Sequence, residues 1–264
     1  MHGGTVGDRP CRRGCARLQR AALVCLASLL FCSGFCWQAA AECVDPATLT
    51  HSTISMTRYF DEAEKKVNPG SVGIRGTAWF LSATSMVTAE HVAAAMALSD
   101  QEWKPVEILD GENRQTAAVR RLSLAGSHAE KIAVLELRVP FSAARGLELR
   151  MQPLAPEERV VSLAYPGNRL RFAAGRFVQY GDSDRFKGSA LLEMYDGDDR
   201  LVLDHGASGA PVLDCRGQVV AIVSNLFTQT MEFPFRVLRV STAWGQPNVL
   251  SVPIQALKDF AEAR

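Results

Sequence analysis

A serine held between two glycines is the sequence feature that most constrains how this chain folds. It lies in the run DHGASGAPVLDCRGQVVAIVS at residues 204–224, where Gly206 and Gly209 flank Ser208 and Pro211 closes the turn. Two short apolar runs lie on either side of the turn DCRG, so the pattern predicts a tight loop that leads into a β-hairpin. Glycines in such a loop allow successive N–H groups to point into one concavity.

A hydroxyl group beside such N–H donors can act as a nucleophile. It attacks a carbonyl carbon while the donors stabilise the oxyanion, provided that a base accepts its proton. The segment alone is equally compatible with an ordinary glycine-rich hairpin turn that carries no chemistry. The Gly-x-Ser-x-Gly elbow of α/β-hydrolases is disfavoured, because Ala210 replaces its second glycine and a strand pattern rather than a helix follows.

A histidine motif in the first half of the chain favours the chemical interpretation. Residues 76–92 read GTAWFLSATSMVTAEHV, which predicts a strand, a turn, a second strand and then His91 at the start of an alanine-rich helical turn. With the serine run, this segment resembles the trypsin-like (chymotrypsin-fold) serine proteases, and among them the bacterial group of the high-temperature-requirement kind. The histidine run is similar to the family's Val-Thr-Ala-x-His, and the serine run to its Gly-x-Ser-Gly-x-Pro-Val. The resemblance extends from about Val72 to the C-terminus.

The resemblance implies a fold and a set of site residues. The fold is all-β, with two six-stranded Greek-key β-barrels and a C-terminal helix. Ser208 is expected to be the nucleophile, His91 the general base and acid, and the N–H groups of Gly206 and Ser208 the oxyanion hole. The expected activity is hydrolysis of peptide bonds through an acyl-enzyme intermediate, with a protein or peptide as substrate and no cofactor.

The resemblance also places three residues at the primary specificity pocket. Val202 lies six residues before Ser208, at the position of the pocket floor, and Ser224 and Leu226 lie on the strand that pairs with the substrate backbone. An apolar floor offers no carboxylate to a basic side chain, and the branched Leu226 in place of a common glycine narrows the pocket. We therefore expect cleavage beside small or medium apolar residues.

The third catalytic position departs from the family. The family has Asp-Ile-Ala-Val-Leu where this chain has Lys131 followed by Ile-Ala-Val-Leu. The aspartate fixes the imidazole tautomer and stabilises the imidazolium, and its loss costs on the order of 10⁴ in turnover. A lysine adds repulsion, because two positive charges about 4 Å apart repel by roughly 4 kcal/mol at an effective dielectric constant near 20.

Three interpretations of Lys131 remain open. The adjacent Glu130 replaces the aspartate if a bulge or a one-residue slip turns it inward, because side chains alternate along a strand. Alternatively, a water molecule or a backbone carbonyl orients His91 and leaves a slow serine–histidine dyad. In the third interpretation, the protein is a catalytically impaired pseudoprotease that uses the barrel cleft for peptide binding or scaffolding.

The N-terminal segment has the plan of a secretory signal peptide. Residues 1–41 have an arginine-rich start, a mostly apolar run at 21–37 and three alanines before a cleavage site at Glu42. The apolar run is short for a membrane span, and Cys32 and Cys36 follow phenylalanine where a lipidated cysteine needs a small residue. We therefore predict export to the periplasm or the extracellular space, with no stable membrane span after cleavage.

Removal of residues 1–41 changes the charge and the cysteine content. These residues contain five arginines and one aspartate, so the formal net charge falls from +1 for the whole chain to −3 for the remainder. No basic face is then expected for nucleic acid. Five of the seven cysteines also lie in this segment, which leaves Cys43 and Cys215 as a candidate disulfide or as two unpaired thiols. The spacing of the histidines predicts no metal site.

The rest of the chain predicts one protease domain at residues 42–264. Short strands between turn signals favour two barrels, at about 70–140 and 155–250, over alternating βαβ units. A short helix is predicted at Ser55–Val67 and an amphipathic helix at Ile254–Ala263. No PDZ-like domain is expected after the protease region, and the sequence predicts no oligomeric state. The strands predicted beyond the histidine motif span residues 106–109, 116–122, 132–137, 160–164, 171–180, 191–195, 201–203, 211–213, 218–223 and 235–240.

Overall fold

The computed structural model describes the chain from Cys43 onward, with short gaps. The described residues are 43–122, 131–182, 188–196, 203, 205–226, 228–233, 236–241 and 246–257, and between 225 and 241 only the backbone is described. The predictions made for residues 1–41, Glu130 and Val202 therefore lie outside the described residues.

Two closed antiparallel barrels of six strands each make up the fold, which confirms the predicted all-β class. The strands of the first barrel are Thr53–Tyr59 (β1), Gly73–Ser82 (β2), Ser85–Ala89 (β3), Lys104–Asp110 (β4), Asn113–Leu122 (β5) and Ile132–Leu137 (β6). They are hydrogen-bonded in the order β1-β2-β3-β6-β5-β4, and the barrel closes through the pairing of β1 with β4.

The second barrel follows a connection that contains no strand. Five of its strands follow one another: Arg159–Ala164 (β7), Arg171–Gly181 (β8), Ser189–Tyr195 (β9), Pro211–Asp214 (β10) and Val219–Leu226 (β11). The sixth is Val249–Pro253, which is labelled β14 because two strands outside the barrel precede it in the chain. The six strands are hydrogen-bonded in the order β10-β11-β14-β9-β8-β7. Between β11 and β14, the strands Thr228–Phe233 (β12) and Arg236–Ser241 (β13) pair with each other as a separate two-stranded sheet.

Three apolar clusters hold the barrels together, one inside each barrel and one between them. Strand β6 contributes to two of them, because its side chains alternate: Ala133 and Leu135 lie in the first barrel, whereas Ile132 and Val134 lie in the cluster between the barrels. A strand buried on both faces has an almost continuous apolar sequence, as β6 does. The cluster between the barrels draws on both of them and includes Trp79, Val87, Val161, Leu163, Leu213 and Ile222.

The predicted helix at Ser55–Val67 is wrong in its first half. Residues up to Tyr59 form β1, which pairs with both β2 and β4, and its side chains from Thr53 to Thr57 are all buried. The helix, α1, spans only Glu62–Val67. It starts there because the Asp61 carboxylate accepts a hydrogen bond from the N–H of Glu64 while the Glu64 carboxylate accepts one from the N–H of Asp61.

This correction also moves the start of the first barrel. The barrel begins at Thr53, not near residue 70, whereas the strands of the second barrel lie between Arg159 and Pro253. Strands β12 and β14 were not predicted, and of the strand predicted at 201–203 only Leu203 is described, outside any strand. At the C-terminal end, Ile254–Leu257 forms a 3₁₀-helix, and the remainder of the predicted helix lies outside the described residues.

The other helices are short. Glu90–Ala95 (α2) follows β3 directly, and 3₁₀-helices span Pro46–Ser52 and Pro166–Asn168. Within the ranges that the structure describes, no helix is long and apolar enough to cross a membrane.

Candidate active site

His91 lies in the first turn of α2, at the end of β3, and its side chain is exposed. Strand β3 pairs with β6 up to the partners Ala89 and Ile132. One residue further along, the N–H of Glu90 donates a hydrogen bond of 3.1 Å to the carbonyl oxygen of Lys131. The backbone of Lys131 therefore lies directly beside the start of the helix that carries His91.

Ser208 lies in the loop that leads into β10 and contacts both barrels. Its carbonyl oxygen accepts a hydrogen bond of 3.0 Å from the N–H of Thr77 on β2. Its hydroxyl group donates a hydrogen bond of 3.0 Å to the carbonyl oxygen of Ser224 on β11. The candidate nucleophile is thus held between a strand of the first barrel and a strand of the second.

A bulge in β11 explains why the Ser224 carbonyl is available. The pairing of β11 with β14 joins Val223 to Ser251 and Asn225 to Leu250, so Ser224 is an extra residue without a partner in this ladder. A bulged residue leaves the regular hydrogen-bond pattern and can redirect its polar groups. The Ser224 hydroxyl is also buried and, within the described part of the chain, has no hydrogen-bond partner.

Gly206, a predicted donor of the oxyanion hole, has a left-handed backbone conformation. Its φ angle is +97°, in the region that favours glycine. Its carbonyl oxygen accepts a hydrogen bond of 2.6 Å from the Thr77 hydroxyl, on the side of the first barrel. Among the described residues, the N–H groups of Gly206 and Ser208 donate to no backbone carbonyl.

Gly209 brings the serine loop against the strand that leads to His91. A Cβ atom at this position would lie 2.1 Å from the carbonyl oxygen of Thr77, 2.3 Å from the hydroxyl oxygen of Thr88 and 3.1 Å from the N atom of Ala89. Ala89 is two residues before His91. The fold therefore brings the serine loop and the histidine helix to one place on the surface between the barrels.

We expect Gly209→Ala to destabilise the protein by about 2–4 kcal/mol, because it combines an unfavourable backbone conformation with a clash against backbone. The φ angle of Gly209 is +93°. Gly70→Ala is the matched control, because Gly70 has a φ angle of +85° but no atom within 4 Å of an added Cβ. That variant should lose about 1–2 kcal/mol. Urea unfolding measures both, and an equal loss would contradict the packing described for Gly209.

Glu90, the residue before His91, is engaged with Arg121 of β5. A guanidinium nitrogen of Arg121 lies 2.7 Å from Oε1 of Glu90. Burial raises the pKa of the Glu90 carboxyl, and the charge of Arg121 opposes that increase. Oε2 is buried and finds no hydrogen-bond partner among the residues described. The ion pair with Arg121 gives this carboxylate a structural role at the start of α2.

A disulfide joins Cys43 to Cys215 across 172 residues. Cys215 lies in the turn between β10 and β11, seven residues after Ser208. In the same turn, the Asp214 carboxylate accepts hydrogen bonds of 2.9 and 3.0 Å from the N–H groups of Arg216 and Gln218. Burial raises the pKa of Asp214, but these hydrogen bonds, together with those from the guanidinium groups of Arg150 and Arg216, outweigh it and hold the pKa below its usual value.

The predicted specificity residues are described only in part. Ser224 lies on β11 and contacts Ser208 as stated above. Leu226 ends the same strand, but its side chain lies outside the described residues, as does all of Val202. The residue that sequence reasoning missed is Thr77, which lies within the histidine motif but was not singled out there. Nothing in a local pattern distinguishes it from any other buried strand threonine.

The comparison with known families matches the region that contains both motifs. The family model described as a trypsin-like peptidase domain matches residues 76–222, more than half of the chain. No curated protein matches the chain significantly.

Comparison with solved structures finds the same fold. The Rv3671c protease from M. tuberculosis in its active form is 17% identical, with a TM-score of 0.52 over 81% of each chain. Deg5 is 14% identical, with a TM-score of 0.54 over 80% of this chain and 87% of its own. The HtrA-type protease AlgW with tripeptide is 16% identical, with a TM-score of 0.52 over 81% of this chain and 60% of its own. With the family match across His91 and Ser208, the chain belongs to the trypsin-like peptidase family.

Proposed function

We propose that this protein is an exported serine endopeptidase that cleaves peptide bonds through an acyl-enzyme on Ser208, with His91 as general base and acid. The observation that carries the proposal is the serine loop itself. Two carbonyl groups of the loop, those of Gly206 and Ser208, are hydrogen-bonded to Thr77. Within the described part of the chain, the N–H groups of the same two residues donate to no backbone carbonyl, and we propose that they bind the substrate oxygen as an oxyanion hole.

The proposed reaction has two steps. The Ser208 hydroxyl attacks the scissile carbonyl carbon, His91 accepts its proton, and the N–H groups of Gly206 and Ser208 stabilise the oxyanion. The intermediate expels the amine, which takes the proton from His91, and leaves an acyl-enzyme. Water then attacks the acyl group with His91 again as base, which releases the carboxylic acid and restores Ser208.

Attack requires the Ser208 hydroxyl to leave the carbonyl oxygen of Ser224, to which it donates in the structure. This change is a rotation about χ1 between staggered positions, and such side-chain rotations are fast compared with turnover. The Ser224 carbonyl therefore acts as a resting position for the hydroxyl before substrate binds.

We also propose that the protein is exported and that its primary specificity pocket prefers apolar residues. The N-terminal sequence supports cleavage after residue 41, and the Cys43–Cys215 disulfide fits an oxidising compartment such as the periplasm or the extracellular space. An apolar Val202 at the pocket floor supports cleavage beside small or medium apolar residues. A library of peptides that vary at the residue before the cleaved bond tests this preference directly.

A peptide-binding pseudoprotease is the second candidate, and Lys131 is the observation that favours it. The Lys131 carbonyl accepts a hydrogen bond from Glu90, so this lysine lies beside the His91 helix, where the family has its aspartate. A protein without that carboxylate retains the barrel cleft but lacks the aspartate by which the family orients the imidazole.

Labelling with a fluorophosphonate probe distinguishes the two candidates, because the probe reacts only with an activated serine. We expect the purified mature protein to be labelled, and Ser208→Ala and His91→Ala to remain unlabelled. Ser71→Ala, at an exposed serine in the loop before β2, is the control that should label normally. An unlabelled wild-type protein that still binds peptides would overturn the endopeptidase proposal in favour of the pseudoprotease.

A further inference from the structure

We propose that Thr77 is the positioning residue that fixes the oxyanion-hole conformation of the serine loop from the opposite barrel. This inference rests on the proposed function for its catalytic meaning, because the hole matters only if Ser208 attacks a carbonyl. The hydrogen bonds on which it rests do not depend on activity. Thr77, on β2 of the first barrel, binds the serine loop that belongs to the second barrel.

Thr77 uses all of its polar groups in this region. Its N–H donates to the Ser208 carbonyl at 3.0 Å, and its hydroxyl donates to the Gly206 carbonyl at 2.6 Å. The hydroxyl oxygen also accepts a hydrogen bond of 3.0 Å from the N–H of Tyr165, and the Thr77 carbonyl accepts one of 2.7 Å from the Thr88 hydroxyl. Thr77 itself is completely buried, whereas Gly206 and Ser208 are half-buried.

The two anchored carbonyls flank the peptide that supplies one of the oxyanion donors. The N–H of Ser208 belongs to the peptide between Ala207 and Ser208, and the carbonyls of Gly206 and Ser208 belong to the peptides on either side of it. Because hydrogen bonds hold the peptide groups on both sides in place, they also fix the direction of the Ser208 N–H. Gly206 has no side chain to restrain it and a φ angle of +97°, so the restraint must come from elsewhere.

A hydroxyl group suits this position because it can donate and accept at once. Its oxygen accepts from the N–H of Tyr165, which leaves its single proton for the Gly206 carbonyl. The β-branched side chain also restricts χ1, which holds the hydroxyl in place. Valine has the same shape without these hydrogen bonds, whereas serine keeps them.

Hydrogen exchange measured by mass spectrometry tests the positioning role without any need for activity. In Thr77→Val, we expect amide exchange in the peptide that contains residues 205–210 to accelerate by about tenfold or more. Thr77→Ser should exchange like the wild type. Ser162→Ala is the control, because it removes another buried hydroxyl that donates to a nearby carbonyl, that of Pro211, at 2.8 Å. It should leave exchange in this peptide unchanged.

The kinetics of peptide hydrolysis provide a second test of the role of Thr77. We expect Thr77→Val to lower kcat on a peptide substrate by about 10- to 100-fold with little change in KM, because the oxyanion forms only after substrate has bound. Thr77→Ser should retain most of the wild-type kcat.

The outcomes separate this inference from the proposed function. If the wild type is not labelled by the fluorophosphonate probe, the proposed function fails, but hydrogen exchange still decides the role of Thr77. Unchanged exchange in Thr77→Val, or equal acceleration in Thr77→Ser, would overturn the positioning role. Urea unfolding checks that each variant is folded, and Thr77→Ala replaces Thr77→Val if the valine variant is not.

Discussion

Lys131→Asp is expected to raise kcat/KM on a peptide substrate by about 10³- to 10⁴-fold, because loss of the aspartate costs such a site on the order of 10⁴ in turnover. The lysine backbone lies beside the helix that carries His91, because its carbonyl accepts the N–H of Glu90. In the proposed mechanism, a carboxylate at this position orients the imidazole and stabilises the imidazolium that forms when Ser208 loses its proton. The substitution also replaces a positive side chain by a negative one, which favours the imidazolium.

Lys131→Ala separates the two contributions, because it removes the positive charge without adding a carboxylate. We expect it to raise kcat/KM by much less than the aspartate variant does. Adding Ser208→Ala to Lys131→Asp must abolish the gain if the reaction occurs at the proposed site. An unchanged rate in Lys131→Asp would mean that another group already orients His91. Glu130→Gln would then identify whether that group is the neighbouring carboxylate.

Removal of the disulfide is expected to cost about 4–5 kcal/mol in the free energy of unfolding, from the chain-entropy model for a long closed loop. The bond joins residues 172 positions apart, so it restricts most of the unfolded chain. In a Cys43→Ser, Cys215→Ser double variant, the midpoint of thermal unfolding should fall by roughly 10–20 °C for a domain of this size.

A reducing agent provides the matched control for the disulfide. Dithiothreitol should lower the midpoint of the wild type to that of the double variant and leave the double variant unchanged. The hydrogen bonds of Asp214 to Arg216 and Gln218 remain in both, so the turn itself should persist. A midpoint that does not respond to dithiothreitol would contradict the stabilising role of the disulfide.

The sequence predicted most of the strands, because their apolar runs lie between clear turn signals. Strand β6, Ile132–Leu137, was predicted with its observed boundaries. Strand β1 was missed because the apolar residues near Tyr59 also fit helical spacing, and short apolar segments do not distinguish strand from helix. Only the pairing of β1 with β2 and β4, which no local window contains, decides between them.

The candidate site also has a part that local sequence predicts and a part that it does not. The motifs predicted His91 and the Ser208 loop as site elements, since the residues that surround each one are adjacent in sequence. Thr77 could not be found by this means, because its hydrogen bond to Gly206 joins residues 129 positions apart. The resting hydrogen bond from Ser208 to Ser224 was equally unpredictable, since it depends on a bulge in β11.

The attachment of the serine loop to β2 has a consequence for how activity arises during folding. His91 and Thr77 belong to one barrel, whereas Gly206 and Ser208 belong to the other. A chain in which only one barrel has formed therefore has not brought together the candidate nucleophile, base and oxyanion-hole donors. If Ser208 and His91 act as proposed, proteolytic activity arises only after both barrels have folded against each other.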